Sequence, residues 1–174
     1  MRFRNKSVRD LRIRKVRIGD ARKIINILNP MIKAGIYTVL DQPITLPAEK
    51  MFIANFPKQG IFLVAESGKD KRIVGFQVLE PFGKYSKAFK HVATLGTYVE
   101  LSKRRQGIGT YLSKATFKAA IDKGYEKLFT YVRRDNPSAL NFYKKLGFRI
   151  AGIAKRQARF GNKYVDEVII EKFL

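Results

Sequence analysis

Hydrophobic and polar positions change rhythm along the chain, and each rhythm predicts an element. Apolar residues alternate with charged ones over residues 11–16, a period of two that predicts a half-buried strand. Ile24, Ile25, Ile27 and Leu28 recur at helical spacing after Asp20, a good N-cap residue, so a helix is expected over residues 21–28. Asn29-Pro30 should interrupt it, with a second piece over residues 31–35. Thr45-Leu46-Pro47 opens another helix, with Met51, Ile53, Ala54 and Phe56 facing inward and Pro57 ending it. The dense apolar run at residues 61–65 reads as a buried strand, Ser67-Gly68-Lys69-Asp70 as a turn, and residues 73–79 as the returning strand. Further strands are expected over residues 91–99, 127–132, 148–153 and 165–173. Ile108, Leu112, Ala115 and Ala119 keep helical spacing up to a stop at Gly124, which predicts a helix over residues 109–123. Asn136-Pro137 caps a last helix over residues 138–145, ended by Gly147. The order is mixed α/β, with six to seven strands and about four helices.

A chain of 174 residues fits one domain, expected over residues 11–174 behind a basic N-terminal extension at residues 1–10. The absence of cysteine excludes disulfides and thiol catalysis. His91 is the only histidine, so no metal site is expected. No apolar run approaches the roughly 20 residues of a membrane span, and residues 1–6 lack an apolar signal core, which gives the expectation of a cytoplasmic protein. Charge is the odd feature: 36 Lys and Arg against 14 Asp and Glu, a net of +22. Such a field attracts nucleic acid, acidic protein or a phosphorylated cofactor. The basic residues are spread over the whole chain, denser in residues 2–17, which favours a solvated surface over a dedicated tail and leaves only non-specific nucleic-acid contact open. Polycationic substrates would be repelled.

Chemistry concentrates between Tyr98 and Leu112, where a strand runs through Arg104-Arg105-Gln106-Gly107-Ile108-Gly109-Thr110 into a helix. Glycine lets the backbone bend and approach a ligand, and the free amides at the helix start point at it with the positive end of the dipole behind them. Arg104 and Arg105 add charge. That combination suits a pyrophosphate, although a tight turn of small residues would look the same. A dinucleotide fold wants a third glycine where Leu112 stands, and a P-loop wants Lys-Ser/Thr where Thr110-Tyr111 follow Gly109.

Arg104-x-x-Gly107-x-Gly109 after one strand is followed, after the next strand, by Asn136-Pro137-Ser138-Ala139-Leu140-Asn141-Phe142-Tyr143-Lys144-Lys145-Leu146-Gly147-Phe148. These two blocks at this spacing resemble the paired motifs of the GNAT N-acetyltransferase superfamily, over roughly residues 11–174. Ile13-Arg14 leading to Gly19-Asp20, Tyr85, and residues 155–166 around Phe160-Gly161 resemble its phosphinothricin and L-amino-acid N-acetyltransferase branch. The resemblance implies a mixed, mostly antiparallel sheet flanked by helices. It also implies direct transfer of an acetyl group from acetyl-CoA to a primary amine, of an amino acid or related small molecule. Tyr98 and Val99 would pair their main chain with the pantetheine arm where two strands part. Arg104, Arg105, Gln106, Gly107, Ile108, Gly109 and Thr110 would hold the pyrophosphate. Asn136, Ser138 and Tyr143 would also contact the cofactor. Tyr143 would be the catalytic proton donor to the departing thiolate, the plainer alternative being a core aromatic on an amphipathic helix.

The resembled branch carries a glutamate where this chain has Thr94, which cannot serve as a base. Glu80, Glu100, His91 or a water chain are the substitutes, and Tyr131 and Arg133 are candidates for lining the acceptor cleft. A homodimer is usual in that branch. Two rival functions stay open: acetylation of a protein N-terminus or lysine, and a non-catalytic nucleic-acid-associated module on the same fold.

Overall fold

A computed structural model describes residues 10–68 and 70–174. Apart from Asp10, the expected N-terminal extension lies outside the described residues. The chain runs β1 (Leu11–Lys15), α1 (Ala21–Ala34), α2 (Leu46–Ala54), β2 (Ile61–Ser67), β3 (Arg72–Pro81), β4 (Val92–Val99), α3 (Ile108–Asp122), β5 (Lys127–Arg133), α4 (Pro137–Lys145), β6 (Arg149–Phe160) and β7 (Lys163–Phe173). The seven strands form one sheet in the order β1-β2-β3-β4-β5-β7-β6. Every neighbouring pair is antiparallel except β4 and β5, which the α3 crossover makes parallel.

Two cores lie on opposite faces of the sheet. On one, α1 and α2 bury Ile24, Met31 and Ile53 against Phe62, Val64 and Phe76. On the other, Ile108 and Leu112 of α3 and Tyr143 of α4 pack against Leu95, Leu128, Val132 and Ile170. Strand side chains alternate between the two faces, which later separates the residues of the site into two groups.

Four expectations need correction. α1 runs unbroken through Asn29-Pro30 and ends at Gly35, which adopts the left-handed conformation at φ 69°. An interior proline costs about 3 kcal/mol, but Met31 and Ile32 beyond it are buried. Asn29 is also clamped, donating to Ile44 O at 3.0 Å and accepting from Ile44 N at 2.9 Å. In α2 the expected inward set was too wide. Glu49, Ile53 and Phe56 share the inner face, while Met51 and Ala54 are exposed, because a nine-residue helix has room for one stripe only. In α3 the expected stripe of Ile108, Leu112, Ala115 and Ala119 does face the core, joined there by Ser113, Thr116 and Ala120, all fully buried. β6 extends to Phe160, well past the expected end, through a register break between Ala154 and Ala158. It is an edge strand, mostly exposed, so it lacks the apolar alternation that marks a strand in sequence.

Asp20 does not cap α1 with its side chain. Its carboxylate instead accepts two bonds from Arg14, at 2.7 and 2.9 Å, and one from Arg17 N, while Arg14 Nε reaches Glu66 at 2.8 Å. Burial by itself would raise the Asp20 pKa, but the Arg14 and Arg17 hydrogen bonds outweigh it and hold the group below the usual carboxylate range. A depressed carboxylate contributes stability above its unfolded-state pKa and loses it as pH falls through the folded-state value. Arg14→Leu should therefore cost about 3 kcal/mol near pH 7, because it strands two half-buried carboxylates. That cost should shrink as pH falls below the ordinary carboxylate range and Asp20 protonates, a trend that urea unfolding at several pH values would measure.

Candidate active site

β4 and β5 lie side by side for three residue pairs only, Val92 with Lys127, Ala93 with Leu128 and Thr94 with Phe129. Beyond Thr94 they part, β4 staying with β3 and β5 with β7, and a cleft of about 280 Å³ opens between them. Glu100 N donates to Val74 O, so by the alternation of an antiparallel pair Tyr98 turns its main chain toward Phe76. The main-chain groups of Thr97 and Val99 then face the gap. Of the expected pair, Val99 thus carries the open edge. Tyr98 contributes a side chain that lines the cleft and stacks on Phe76 at 4.8 Å.

The basic loop follows β4 directly. Arg105 and Gly107 both adopt positive φ, 60° and 86°, and Gly107 caps α3. The first bond within the helix runs from Tyr111 N to Gly107 O at 2.9 Å. The amides of Ile108, Gly109 and Thr110 therefore have no helical acceptor and project from the positive end of a 15-residue helix. Left-handed residues interleaved with right-handed ones curve the amides into a concave nest. Ile108 contributes only its amide, since its side chain is in the core. Gly109 spares space for a neighbour rather than a ligand: a Cβ there would sit 3.0 Å from Phe142, so its smallness lets α4 abut α3. The Arg104 guanidinium lies 3.9 Å from the centre of the Tyr37 ring, and Arg105 is exposed. Donors and cations in this arrangement fit a diphosphate.

Tyr143, from the last turn of α4, is buried and donates to Thr97 Oγ1 at 3.0 Å. Gln77 on β3 lies opposite Thr97 and donates to the same oxygen at 2.6 Å and to Ser113 Oγ at 3.1 Å. Burial pushes the phenol pKa up to about 12, against the smaller opposing pull of its Thr97 hydrogen bond. The group therefore stays protonated through neutral pH, as a proton donor must. Asn136 spends its side-chain oxygen capping α4, accepting from Ala139 N at 3.1 Å, and still lines the cleft. Ser138 is exposed outside the cleft lining.

Tyr98, Tyr131, Arg133 and Glu167 occupy the opposite face of the parted strands, with Thr38 from the segment after α1. Arg133 is 4 % exposed and bonded through each of its three nitrogens, gripping Asp135 through Nε and Nη2 at 2.9 Å each and donating to Thr38 O at 3.1 Å through Nη1. Phe160 from the β6–β7 hairpin lies 4.8 Å from its guanidinium.

A family model, Acetyltransferase (GNAT) family, matches residues 32–148, more than half of the chain and the whole stretch from the end of α1 through α4. The chain belongs to the GNAT acetyltransferase family. A provisionally named phosphinothricin acetyltransferase, YwnH of Bacillus subtilis, is 23% identical over 158 residues, covering 89% of this chain and 94% of that one. A crystal structure of a GNAT superfamily phosphinothricin acetyltransferase from Sinorhizobium meliloti in complex with AcCoA has a TM-score of 0.85 at 17% identity, covering 95% of this chain and 89% of that one. A ribosomal-protein-alanine N-acetyltransferase from Brucella melitensis has the same TM-score at 20% identity, covering 94% of this chain and 99% of that one. At these identities the structural likenesses establish the fold. The protein is an acetyl-CoA-dependent transferase, and acetyl-CoA is its co-substrate.

In this GNAT enzyme the substitute bases are dispersed. Glu80 stands directly across from Thr94, half-exposed with Lys84 at 3.9 Å. Glu100 is held by Arg72 and Ser102. His91 stands just before β4, and its carbonyl accepts from Glu126 N and Lys127 N. Sequence reasoning missed Thr97, Gln77, Thr38 and Glu167. Two had a signal: Gln77 interrupts the apolar run of β3, and Glu167 that of β7. Among the described residues no group of acidic or histidine side chains could hold a metal, and no helix is long and apolar enough to cross a membrane. At Gly107 a side chain would be forced into the left-handed region at a cost of about 1–2 kcal/mol. Gly107→Val should therefore weaken coenzyme binding by roughly tenfold in calorimetric titration, and unchanged affinity would move the diphosphate site elsewhere.

Proposed function

We propose that this enzyme acetylates the primary amine of a small molecule, an amino acid or a close derivative of one. The observation that carries this reading is Tyr143, a buried, neutral phenol held by Thr97 on one face of a cleft whose other face is open to an acceptor. Bound acetyl-CoA supplies an acetyl group on a thioester. The amides of residues 107–110 and the Arg104 and Arg105 charges hold the diphosphate end. The free edge of Thr97 and Val99 orients the arm that follows. Tyr143 keeps a proton at its phenolic oxygen where a departing sulfur would need one, and the Thr97 hydroxyl can turn toward the phenolate left behind. The dual role of Thr97 is possible because Gln77 already donates to it, leaving the hydroxyl proton of Thr97 uncommitted.

The small-molecule assignment draws on the phosphinothricin acetyltransferases to which the chain is similar over most of its length, YwnH among them. The volume of about 280 Å³ also supports it, since that admits a compact amine and not a folded polypeptide.

The test is release of free thiol from acetyl-CoA with amino acids, amino-acid amides, polyamines and peptides as acceptors. Small amines should be turned over and peptides should not. Tyr143→Phe should lower kcat roughly a hundredfold, within the range of general-acid effects, and leave coenzyme affinity within about twofold. A variant with the parent's rate would remove Tyr143 from the chemistry.

A further inference from the structure

Glu167 is the one acidic side chain in the lining of the cleft, and the structure gives it nothing to bind. It is 7 % exposed, lies in register between Arg133 of β5 and Ala154 of β6, and makes no hydrogen bond or ion pair with any described residue. Its neighbour Arg133 is the obvious partner, yet every arm of that guanidinium is already used by Asp135 and the Thr38 carbonyl. The residue is mostly buried, and its carboxylate, paired with nothing, reaches only the cleft, a position that favours a cation joining it. Burial raises its pKa, opposed only by the attraction of Arg133. In a chain of net charge +22 an uncompensated buried acid is not explained by the surroundings.

We infer that Glu167 is the binding site for the ammonium group of the acceptor, and that the cleft selects amines lacking a free carboxylate next to the reacting nitrogen. The selection follows from what the cleft lacks. Arg133 and Glu167 are the only charged residues in its described lining, and the Arg133 charge is already paired with Asp135. An ammonium meets Glu167 with favourable charge. A carboxylate on the adjacent carbon would face the same glutamate with no free cation to receive it, and like charges brought together in a desolvated site cost several kcal/mol. Tyr98, Tyr131 and the Thr38 side supply apolar ring faces and hydroxyls around the anchor, a lining suited to a neutral or aromatic remainder. An amino-acid amide therefore fits better than the free acid. This inference rests on the amine-acetylation reading and narrows its substrate.

The decisive comparison is kcat/KM for a free amino acid and for its amide, in the parent, in Glu167→Gln and in Glu167→Asp. The parent should favour the amide by about tenfold or more, the size of one unfavourable charge contact. Glu167→Gln, nearly isosteric, should raise the KM of the amide about tenfold, leave coenzyme affinity unchanged and bring the amide-to-acid ratio close to one. Glu167→Asp should keep a preference for the amide. A purely structural role would lower both substrates together and leave their ratio intact. A preference for the free acid in the parent, or a ratio that Glu167→Gln does not move, would overturn the inference. If the parent turns over no amine, the acetylation reading fails on its own. Calorimetric titration of the amide into protein saturated with coenzyme A then decides the inference: binding weakened about tenfold in Glu167→Gln upholds it, and absent or unaltered binding refutes it.

Discussion

The site exists because two strands that begin as neighbours cannot stay so. β4 is committed to β3 through seven residue pairs and β5 to β7 through seven more, while only three pairs join β4 to β5. Each half-sheet carries its own twist, and the short parallel ladder is too weak to hold both along their length. What the parting leaves is an open main-chain edge at Thr97 and Val99 inside the molecule. Buried amides and carbonyls without partners are costly, and proteins almost always satisfy them. Here the edge is left for a ligand. The same divergence separates the chemistry by face: side chains of β4 at Thr97 and Val99 look toward α3 and α4, where Tyr143 waits. Those at Thr94 and Tyr98 look toward the acceptor side with Tyr131, Arg133 and Glu167.

On the first face, order comes from a short polar chain in an otherwise dry core. Gln77, Thr97 and Ser113 are linked so that the position of Thr97 is determined before any substrate arrives, and Tyr143 is placed by Thr97. Gln77 Oε1 and Thr116 Oγ1 remain buried without partners. An arrangement of this kind stabilises little and specifies much, because a polar group in the core tolerates few geometries. The edge-on packing of Phe142 and Phe148 around Tyr143 fixes the ring, and burial keeps the phenol protonated.

Much of the fold was legible in sequence because its elements are amphipathic, and the helix starts at Thr45, Gly107 and Asn136 carry local signals that do not depend on the rest of the chain. The glycine loop was legible for the same reason. What escaped was decided by tertiary contact. Pro30 reads as a breaker, and only the clamp between Asn29 and Ile44 and the burial of Met31 explain why the helix continues. Met51 is as apolar as Ile53, and nothing local says which of the two faces out. Thr97 and Gln77 are 20 residues apart in the chain and become partners through register alone. Arg133 could be suspected of lining a cleft, but that Asp135 and the Thr38 carbonyl hold its three nitrogens is a fact of the folded molecule.

Charge acquires a meaning at the end that composition alone could not supply. A net of +22 would draw a phosphorylated coenzyme from a distance, and the nest proposed at residues 104–110 would convert that general attraction into a specific position. The same field would repel a cationic acceptor approaching the enzyme, so an amine must gain something inside the cleft that it lacks outside. On the proposed reading Glu167 offers this, a local potential of opposite sign in a recess of lower dielectric than the surface. The two substrates would then be recognised by opposite charges at opposite ends of one gap. The pairing of Arg133 with Asp135 leaves Glu167 without an internal ion pair.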